Sequence, residues 1–296
     1  MKQKSIQFLL MIASLCAVSL AHAASNNISC TQPVSTGFAT AYASAGAVPN
    51  VTQGTVSFNC TRGATGDPTN LLLRADRGLY PATGSRNRAA FGSGFISYEA
   101  YRDSACTALW TDNSTANSIP FTLAAVLTPQ TVNLSYWGCI TLAGQAPAAG
   151  AGTYTDSVTM TIRDSGTGQT FNTGTFAVSI TYPATCNITA APGNVAFTYT
   201  AFGPAVNAST TFGATCTSNL PYTMALDAYV GVVSGLRYTL NIDTQPPPAG
   251  STPVNSRGAG VAQTHWIYGN MQANQAGTCA TGTCTATNVH TLTITY

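Results

Sequence analysis

The sequence predicts an all-β protein with two antiparallel β-sandwich domains, the second of which lacks its final strand. Three observations predict this. Several segments alternate hydroxyl and apolar residues, as in TYTDSVTMTI at 153–162, and Gly, Pro and Asn interrupt them at short spacing. A pair of cysteines with the same separation occurs twice, as Cys30 with Cys60 and as Cys186 with Cys216. Alternation with a period of two is typical of strands with one buried face.

The first 23 residues are expected to be a secretory signal peptide. They have basic residues at Lys2 and Lys4, an apolar stretch from 6 to 20 and an A-x-A cleavage site at 21–23. Cys16 lies inside this segment and is expected to be removed with it. No later apolar run reaches the roughly 18 residues of a membrane span, so we expect an exported chain that does not cross a membrane.

The charge of the mature chain excludes a basic nucleic-acid-binding protein. Both lysines lie in the signal segment, which leaves 9 of the 11 basic residues, all arginine, against 9 acidic residues. Such a balance gives no overall field that would attract nucleic acid or an anionic membrane.

Eight cysteines remain after the signal segment, and an even number in an exported chain favours disulfides. Each domain's four cysteines allow three pairings. The matched spacing favours Cys30–Cys60 and Cys186–Cys216, which leaves Cys106–Cys139 and Cys279–Cys284. Zinc is the weaker interpretation of Cys279 and Cys284, because His265 and His290 are the only nearby imidazoles and structural zinc sites show tighter spacing. We expect no metal and no cofactor.

Four sequence blocks recur in the same order in the two halves of the chain. LLLRAD ending at Asp76 corresponds to TMALD ending at Asp227, and the strand from Tyr98 to Asp103 corresponds to the one from Tyr238 to Asp243. Later, Gly138 in YWGCITLAGQ matches Gly269 in IYGNMQANQ, and SVTMTI at 157–162 matches VHTLTI at 289–294. Duplication of one unit explains this order, and it predicts domains at 24–182 and 183–296.

The two copies differ at their ends. After SVTMTI the first copy turns and continues into TGTFAVSITY at 173–182, whereas the second ends after VHTLTITY at 296. A sandwich without this strand has an apolar groove and two unpaired edges, and it invites a strand from a partner. The alternative is that the second domain rearranges and closes on itself.

In these blocks the chain resembles spore coat protein U domains. The cysteine spacing, the tyrosine and aspartate of SYEAYRD and RYTLNID, the YG-type strand and the last strand ending in Tyr296 carry the resemblance. It implies immunoglobulin-like sandwiches that form subunits of archaic, Csu-type chaperone-usher pili. The implied partners are a periplasmic chaperone, an outer-membrane usher and an adjacent pilin that donates a strand. Two stretches depart from the family pattern, SACTALW at 104–110 and QPPPAG at 245–250.

The resemblance also implies a place at the pilus tip, on the cell surface. Only residues 24–29 separate the cleavage site from Cys30, which is too short for a donor strand, so this subunit is expected to accept a strand without offering one. The expected function is a two-domain tip adhesin for attachment to abiotic or host surfaces and for biofilm formation. The alternatives are an assembly-initiating subunit without adhesion and a stand-alone secreted carbohydrate-binding protein.

The sequence gives little support to an enzyme. It lacks the G-x-S-x-G, H-E-x-x-H and P-loop motifs. Asp76 and Asp103 are candidates for a glycosidase pair, but aspartates at such positions more often bond local backbone in turns. We therefore expect no catalysis.

A surface-binding region is expected at the end of the first domain opposite Pro183. If consecutive strands alternate in direction, that end carries the loops near 43–50, 77–94, 127–130 and 164–170. The second loop combines three apolar or aromatic residues with three arginines, which suit contact with a hydrophobic surface or with anionic groups. The residues are Leu79, Tyr80, Phe91, Arg77, Arg86 and Arg88. The alternative is that the apolar three form a small core beneath the loop.

Overall fold

The computed structural model describes residues 27–44, 46–82, 86–246, 253–279 and 284–296. The proposed signal segment lies outside these residues. Regular structure in the described part is almost entirely β, with one 3-10 turn at Thr115–Asn117, which confirms the predicted all-β class. Within this part, none of the helical segments has the length and apolar character needed to span a bilayer.

The strands fall into two units, each with its own hydrophobic core. The first unit contains β1 (Ile28–Cys30), β2 (Val34–Ser35), β3 (Phe38–Ala41), β4 (Asn50–Arg62), β5 (Asn70–Ala75), β6 (Asn87–Phe91), β7 (Gly94–Tyr101), β8 (Ile119–Thr122), β9 (Gln130–Ile140), β10 (Gly152–Asp164) and β11 (Thr170–Tyr182). The second unit contains β12 (Cys186–Ala190), β13 (Val206–Cys216), β14 (Pro221–Leu226), β15 (Val230–Val233), β16 (Leu236–Asp243), β17 (Val254–Arg257), β18 (Ala262–Met271) and β19 (Leu292–Thr295).

The first unit is a sandwich whose two sheets join through one strand. β7 pairs with β6 along its first half and with β9 through its last three residues, so the strand order β1-β4-β9-β7-β6-β10-β11-β3 curls around a single core. The alternating residues of β10 and β11 point into this core, as the period of two predicts. Trp110 lies at its centre, 5.0 Å from the ring of Tyr136, and donates its indole N–H to the carbonyl of Leu73.

The second unit repeats this plan with fewer strands. One sheet has the order β12-β13-β18-β16-β15 and the other has the order β17-β14-β19. β14 pairs with β17 and β19 as β5 pairs with β8 and β10. The two registers agree, since Ile294 lies opposite Met224 just as Ile162 lies opposite Leu73.

One close contact occurs in both units and supports their common origin. A methyl group on Gly138 would lie 2.3 Å from the ring of Phe38, and one on Gly269 would lie 2.3 Å from the ring of Phe197. In each unit a phenylalanine ring therefore fills the space above a strand glycine, which explains why the matched blocks keep glycine there.

A hydrogen-bonded tyrosine and glutamine also recur. The backbone N–H of Gln145 donates to the Tyr42 hydroxyl over 3.0 Å, and that of Gln275 donates to the Tyr199 hydroxyl over 2.8 Å. Each glutamine side chain also bonds both backbone groups of one residue in the neighbouring strand. Phe197 and Tyr199 thus correspond to Phe38 and Tyr42, which brings the segment 191–199 to the place that β3 has in the first unit.

The disulfides follow the pairing that the matched spacing favours. Cys30 lies directly opposite Cys60 in the β1–β4 ladder, and Cys186 lies directly opposite Cys216 in the β12–β13 ladder. The four bonded pairs are Cys30–Cys60, Cys106–Cys139, Cys186–Cys216 and Cys279–Cys284.

Candidate functional site: an open edge in the second unit

The last strand of the first unit completes its core. β11 pairs with β10 from Gly152–Tyr182 to Arg163–Thr170, and on its other side it pairs in parallel with β3. Its inward side chains are all buried, each at 3% exposure or less. They are Phe176, Val178, Ile180 and Tyr182. Burying four such side chains is a large share of what holds a domain of this size together.

The corresponding position in the second unit is empty among the described residues. β19 matches the last part of β10, but its only ladder in this part of the chain is the one with β14. Leu292 and Ile294 are half-buried, whereas their counterparts Met160 and Ile162 are completely buried. The difference arises because β11 covers Met160 and Ile162, whereas none of the described residues covers Leu292 and Ile294.

The missing neighbour also explains why β19 is short. β10 has 13 residues because β11 pairs along its whole length, while β5 reaches only its last five. In the second unit β14 reaches residues 292–295, and residues 285–291 have no ladder within the described chain. They lie where the first half of β10 would be, without the partner that would make them a strand.

The other flank of this position is the segment 191–199. Its side chains alternate, with Val195, Phe197 and Tyr199 packed against the second core and the residues between them exposed. In the first unit the N–H of Tyr42 donates to the Thr181 carbonyl of β11 over 2.9 Å. Within the described chain, no backbone-to-backbone hydrogen bond joins 191–199 to another segment.

Two backbone flanks therefore border the position that β11 has in the first unit, and apolar side chains of both flanks pack against the second core. We call this the open edge: residues 191–199 on one side and 285–295 on the other. Unpaired N–H and C=O groups at a sheet edge are a template for another strand. The open edge can bind an extended peptide through ladder hydrogen bonds and alternating side chains.

Polar side chains connect one flank of the open edge, the segment 285–295, to the rest of the second unit. His290 bonds Asp227 through Nδ1 over 2.8 Å and Tyr238 through Nε2 over 2.7 Å. The hydrogen bond from His290 lowers the pKa of the Asp227 carboxyl, with smaller contributions from backbone N–H groups. The second unit's other histidine, His265, is buried against Tyr222, and burial lowers its pKa.

The structure corrects the predicted position of two loops in the first unit. We call the end where Tyr182 leads into Pro183 the junction end. Phe91 lies there, because its ring covers Gly152, which pairs with Tyr182. Ser44 lies there too, because it follows β3, which runs parallel to β11. Its carbonyl accepts the N–H of Gly144, a residue in the loop before β10.

The second unit meets the first at this junction end. The Thr217 hydroxyl donates to the Pro183 carbonyl over 2.8 Å, and the Asn219 side chain donates to the Ala148 carbonyl. A methyl group on Gly150 would lie 2.6 Å from the carbonyl oxygen of Ser218. The loops 43–50 and 77–94 were therefore wrongly placed opposite Pro183.

The predicted binding residues divide between the surface and the loop's own support. Leu79 and Tyr80 are exposed, at 66% and 39%, and Phe91 is 42% exposed at the junction end. Phe95, which we had not predicted, lies 6.1 Å from the Tyr80 ring. Its outward position follows from the alternation of β7, in which Ile96 is buried.

Each of the three arginines lies near a partner within the first unit, and Arg86 is also exposed. The Arg88 guanidinium lies 4.3 Å over the Phe95 ring and donates to the Tyr80 carbonyl. Arg86 and Arg77 lie near the buried carboxyl of Glu99 and lower its pKa. Burial is nevertheless the larger cause and raises that pKa to about 7.

The far end, opposite the junction, is formed by the loops 62–70, 122–130 and 164–170. Leu127 is 76% exposed there and has a positive φ of 60°. Buried Arg62 donates to five carbonyls of two of these loops, and the Gln130 side chain bonds backbone groups of Ala124 and Ala125. No charged residue in the three loops is exposed, so this end is an uncharged surface on a rigid support.

The acidic residues considered for catalysis accept hydrogen bonds from backbone N–H groups. Asp76 accepts N–H groups of Gly78 and Thr159, and Asp103 accepts those of Thr107 and Ala108. Both are turn and strand-end residues, as expected. No group of three or more potential metal ligands occurs among the residues that the structure describes.

Comparison with known proteins gives one family match. A family model described as the Spore Coat Protein U domain matches residues 5–161 and 172–245. No curated protein matches the sequence.

Solved structures with some likeness include pilus proteins. The chaperone-tip adhesion subunit complex CsuC-CsuE from archaic Csu pili of Acinetobacter baumannii is 12% identical, with a TM-score of 0.40 over 89% of this chain and all of the other. The CupB6 tip adhesin from Pseudomonas aeruginosa is 11% identical, with a TM-score of 0.41 over 91% and 94% of the two chains. At these scores the likeness says nothing about what this chain binds.

Proposed function

Because the chain belongs to the spore coat protein U domain family, we propose that it is a subunit of a chaperone-usher pilus that accepts a β-strand from the next subunit and stands at the pilus tip. The open edge of the second unit is the observation that carries this proposal. Residues 24–182 would be the adhesin domain and 183–296 the pilin domain. This function requires export through the periplasm, with a chaperone and an usher as assembly partners.

The first unit provides the template for the incoming strand. A strand in the place of β11 runs antiparallel to 285–295, lies beside 191–199, and carries apolar side chains at alternate positions. It would start at the junction of the two units, because residue 296 corresponds to Asp164, where β10 turns into β11. It would leave at the opposite end of the second unit, so the donating subunit follows along the axis of the two units.

The tip position is supported by the unequal completion of the two units. β11 fills the first unit from within the chain, so this unit has no vacancy for a partner strand. A subunit with one acceptor groove in its second domain and a complete first domain beyond it suits the end of a fibre.

The far end of the first unit is the surface that we assign to attachment, with exposed Leu127 and its half-buried neighbour Val126. Uncharged, exposed apolar residues on a rigid support favour contact with a hydrophobic surface, because little side-chain order is lost on binding. Leu79, Tyr80 and Phe95 form a second, lateral contact. In this proposal, attachment through this surface also contributes to biofilm formation.

Attachment of cells that carry the pili tests both surfaces. Replacing Leu127 and Val126 by serine should reduce attachment to a hydrophobic surface by about tenfold while pilus number stays unchanged. Serine at Leu79 and Tyr80 is the matched variant and should reduce it less. Undiminished attachment in both variants would leave an assembly-initiating subunit without adhesion as the better account.

Strand acceptance is tested with a self-complemented chain, in which a copy of residues 164–182 is joined to Thr295. Asp164 then stands where Tyr296 is, so the natural turn and strand follow in register. A chain that accepts strands should gain stability from this extension, whereas a stand-alone secreted binding protein should not.

A further inference from the structure

A hydrogen-bonded cluster spans three segments of the second unit beside the open edge. His290, from the segment before β19, bonds Asp227 after β14 and Tyr238 in β16. The Asn288 side chain donates to the same Tyr238 hydroxyl. A neutral imidazole satisfies every member, since Nδ1–H donates to Asp227 and Nε2 accepts from the Tyr238 hydroxyl.

The first unit has three of these four positions with similar roles. Tyr98 corresponds to Tyr238, and its hydroxyl donates to Asp156, the counterpart of Asn288, over 2.7 Å. Asp76 corresponds to Asp227, and the backbone N–H groups of these two residues donate to the carbonyls of two matched threonines, Thr159 and Thr291 respectively.

The fourth position differs in kind. Where the second unit has His290, the first unit has Val158, a completely buried apolar residue that lies opposite Phe176 of β11. The ladder with β11 fixes the backbone around Val158, so no hydrogen bond from the side chain of residue 158 is needed.

Residues 285–291 have no such ladder. Within the described chain, the one backbone-to-backbone bond to this stretch is the one from Asp227 to Thr291 at its end. The side chains of His290 and Asn288 therefore fix the path of this segment. Without them the segment would lose its full conformational entropy only when a strand binds.

We propose that His290 is a positioning residue for strand acceptance: it holds residues 285–291 along the path of a strand while the neighbouring position is empty. This rests on the proposed function, in which that position receives a partner strand. The incoming strand then meets a preformed edge, and once it is bound the ladder makes the histidine dispensable, as valine is sufficient in the first unit.

The test compares His290→Val in the mature chain and in the self-complemented chain. Cleavage by proteinase K within 285–291, followed by mass spectrometry, reports the order of the segment and does not depend on hydrogen bonds of its amides. In the mature chain the variant should be cleaved about tenfold faster than the wild type, and in the self-complemented chain less than about twofold faster. Thr293→Val, an exposed change on β19, is the control and should alter neither.

The conservative variant His290→Asn should restore part of the protection, because its amide can still donate to Asp227. A variant that folds only when self-complemented would support the proposal, since it shows the same asymmetry. Equal effects of His290→Val in both chains, or failure to fold in both, would overturn it, because a residue that merely packs the core is needed in both. If the added strand does not slow cleavage of the wild-type segment 285–291, the proposed function itself fails.

Discussion

Glu99 shows how a single residue of the first unit links burial to pH. It is 7% exposed, and burial raises its pKa to about 7 from the 4.5 of an unfolded chain, despite the N–H of Asn87 and the nearby charges of Arg86 and Arg77. The folded state therefore favours the protonated acid. The stability that this acid contributes is fully present below pH 4.5 and is lost as the pH rises towards 7.

Glu99→Gln should remove this dependence. Relative to the wild type, the variant should be more stable at pH 8 than at pH 5, by about 3 kcal/mol at most. Urea unfolding of both chains at the two pH values measures it. A difference between the chains that does not change with pH would show that Glu99 is ionised throughout.

The two strand glycines allow a matched comparison between the units. Alanine at Gly138 would press on Phe38, which is buried and lies on the paired strand β3, and such overpacking costs about 1–3 kcal/mol. Alanine at Gly269 would press on Phe197, whose segment has no ladder and can move away. Calorimetry of the whole chain should show a larger loss for Gly138→Ala, and an equal loss would mean that 191–199 is held as firmly as β3.

At the scale of the elements, the matched sequence blocks predicted most of what the structure contains. Asp76 and Asp227, which the sequence aligns, occupy equivalent positions in the two units, and so do Gly138 and Gly269. Inward and close-packed positions leave a clear sequence pattern in both copies, which is why the alignment succeeded. Leu127 and Phe95 were missed as surface residues. The alternation of β7 could have identified Phe95, whereas the exposure of Leu127 depends on buried Arg62, whose partners lie far apart in sequence.

The loop positions could not be predicted because strand direction was assumed to alternate. β5 and β6 both pair antiparallel with the same edge of β10, so they run parallel to each other. Leu79, between them, donates its N–H to Asp156 of β10 on the side of the sandwich instead of lying in a turn at its end. β3 breaks the rule in a second place by pairing in parallel with β11. Both exceptions arise from long-range pairing, which local sequence does not encode.

At the scale of the whole molecule, the account of function depends on one difference between the two units, the strand β11 of the first unit. A complete unit carries an uncharged far end, and an incomplete unit carries an open edge on the other side of the junction. The same apolar side chains that complete the first core from within would complete the second from another subunit.

The thermal unfolding of the self-complemented chain tests this most directly. Its matched control has asparagine or serine in the added copies of Phe176, Val178 and Ile180. We predict that the apolar extension raises the melting temperature of the second unit by about 10 °C or more and suppresses aggregation, and that the polar extension does neither. A mature chain that unfolds cooperatively at the same temperature as both extended chains would show that the second unit closes on itself, and it would contradict the account.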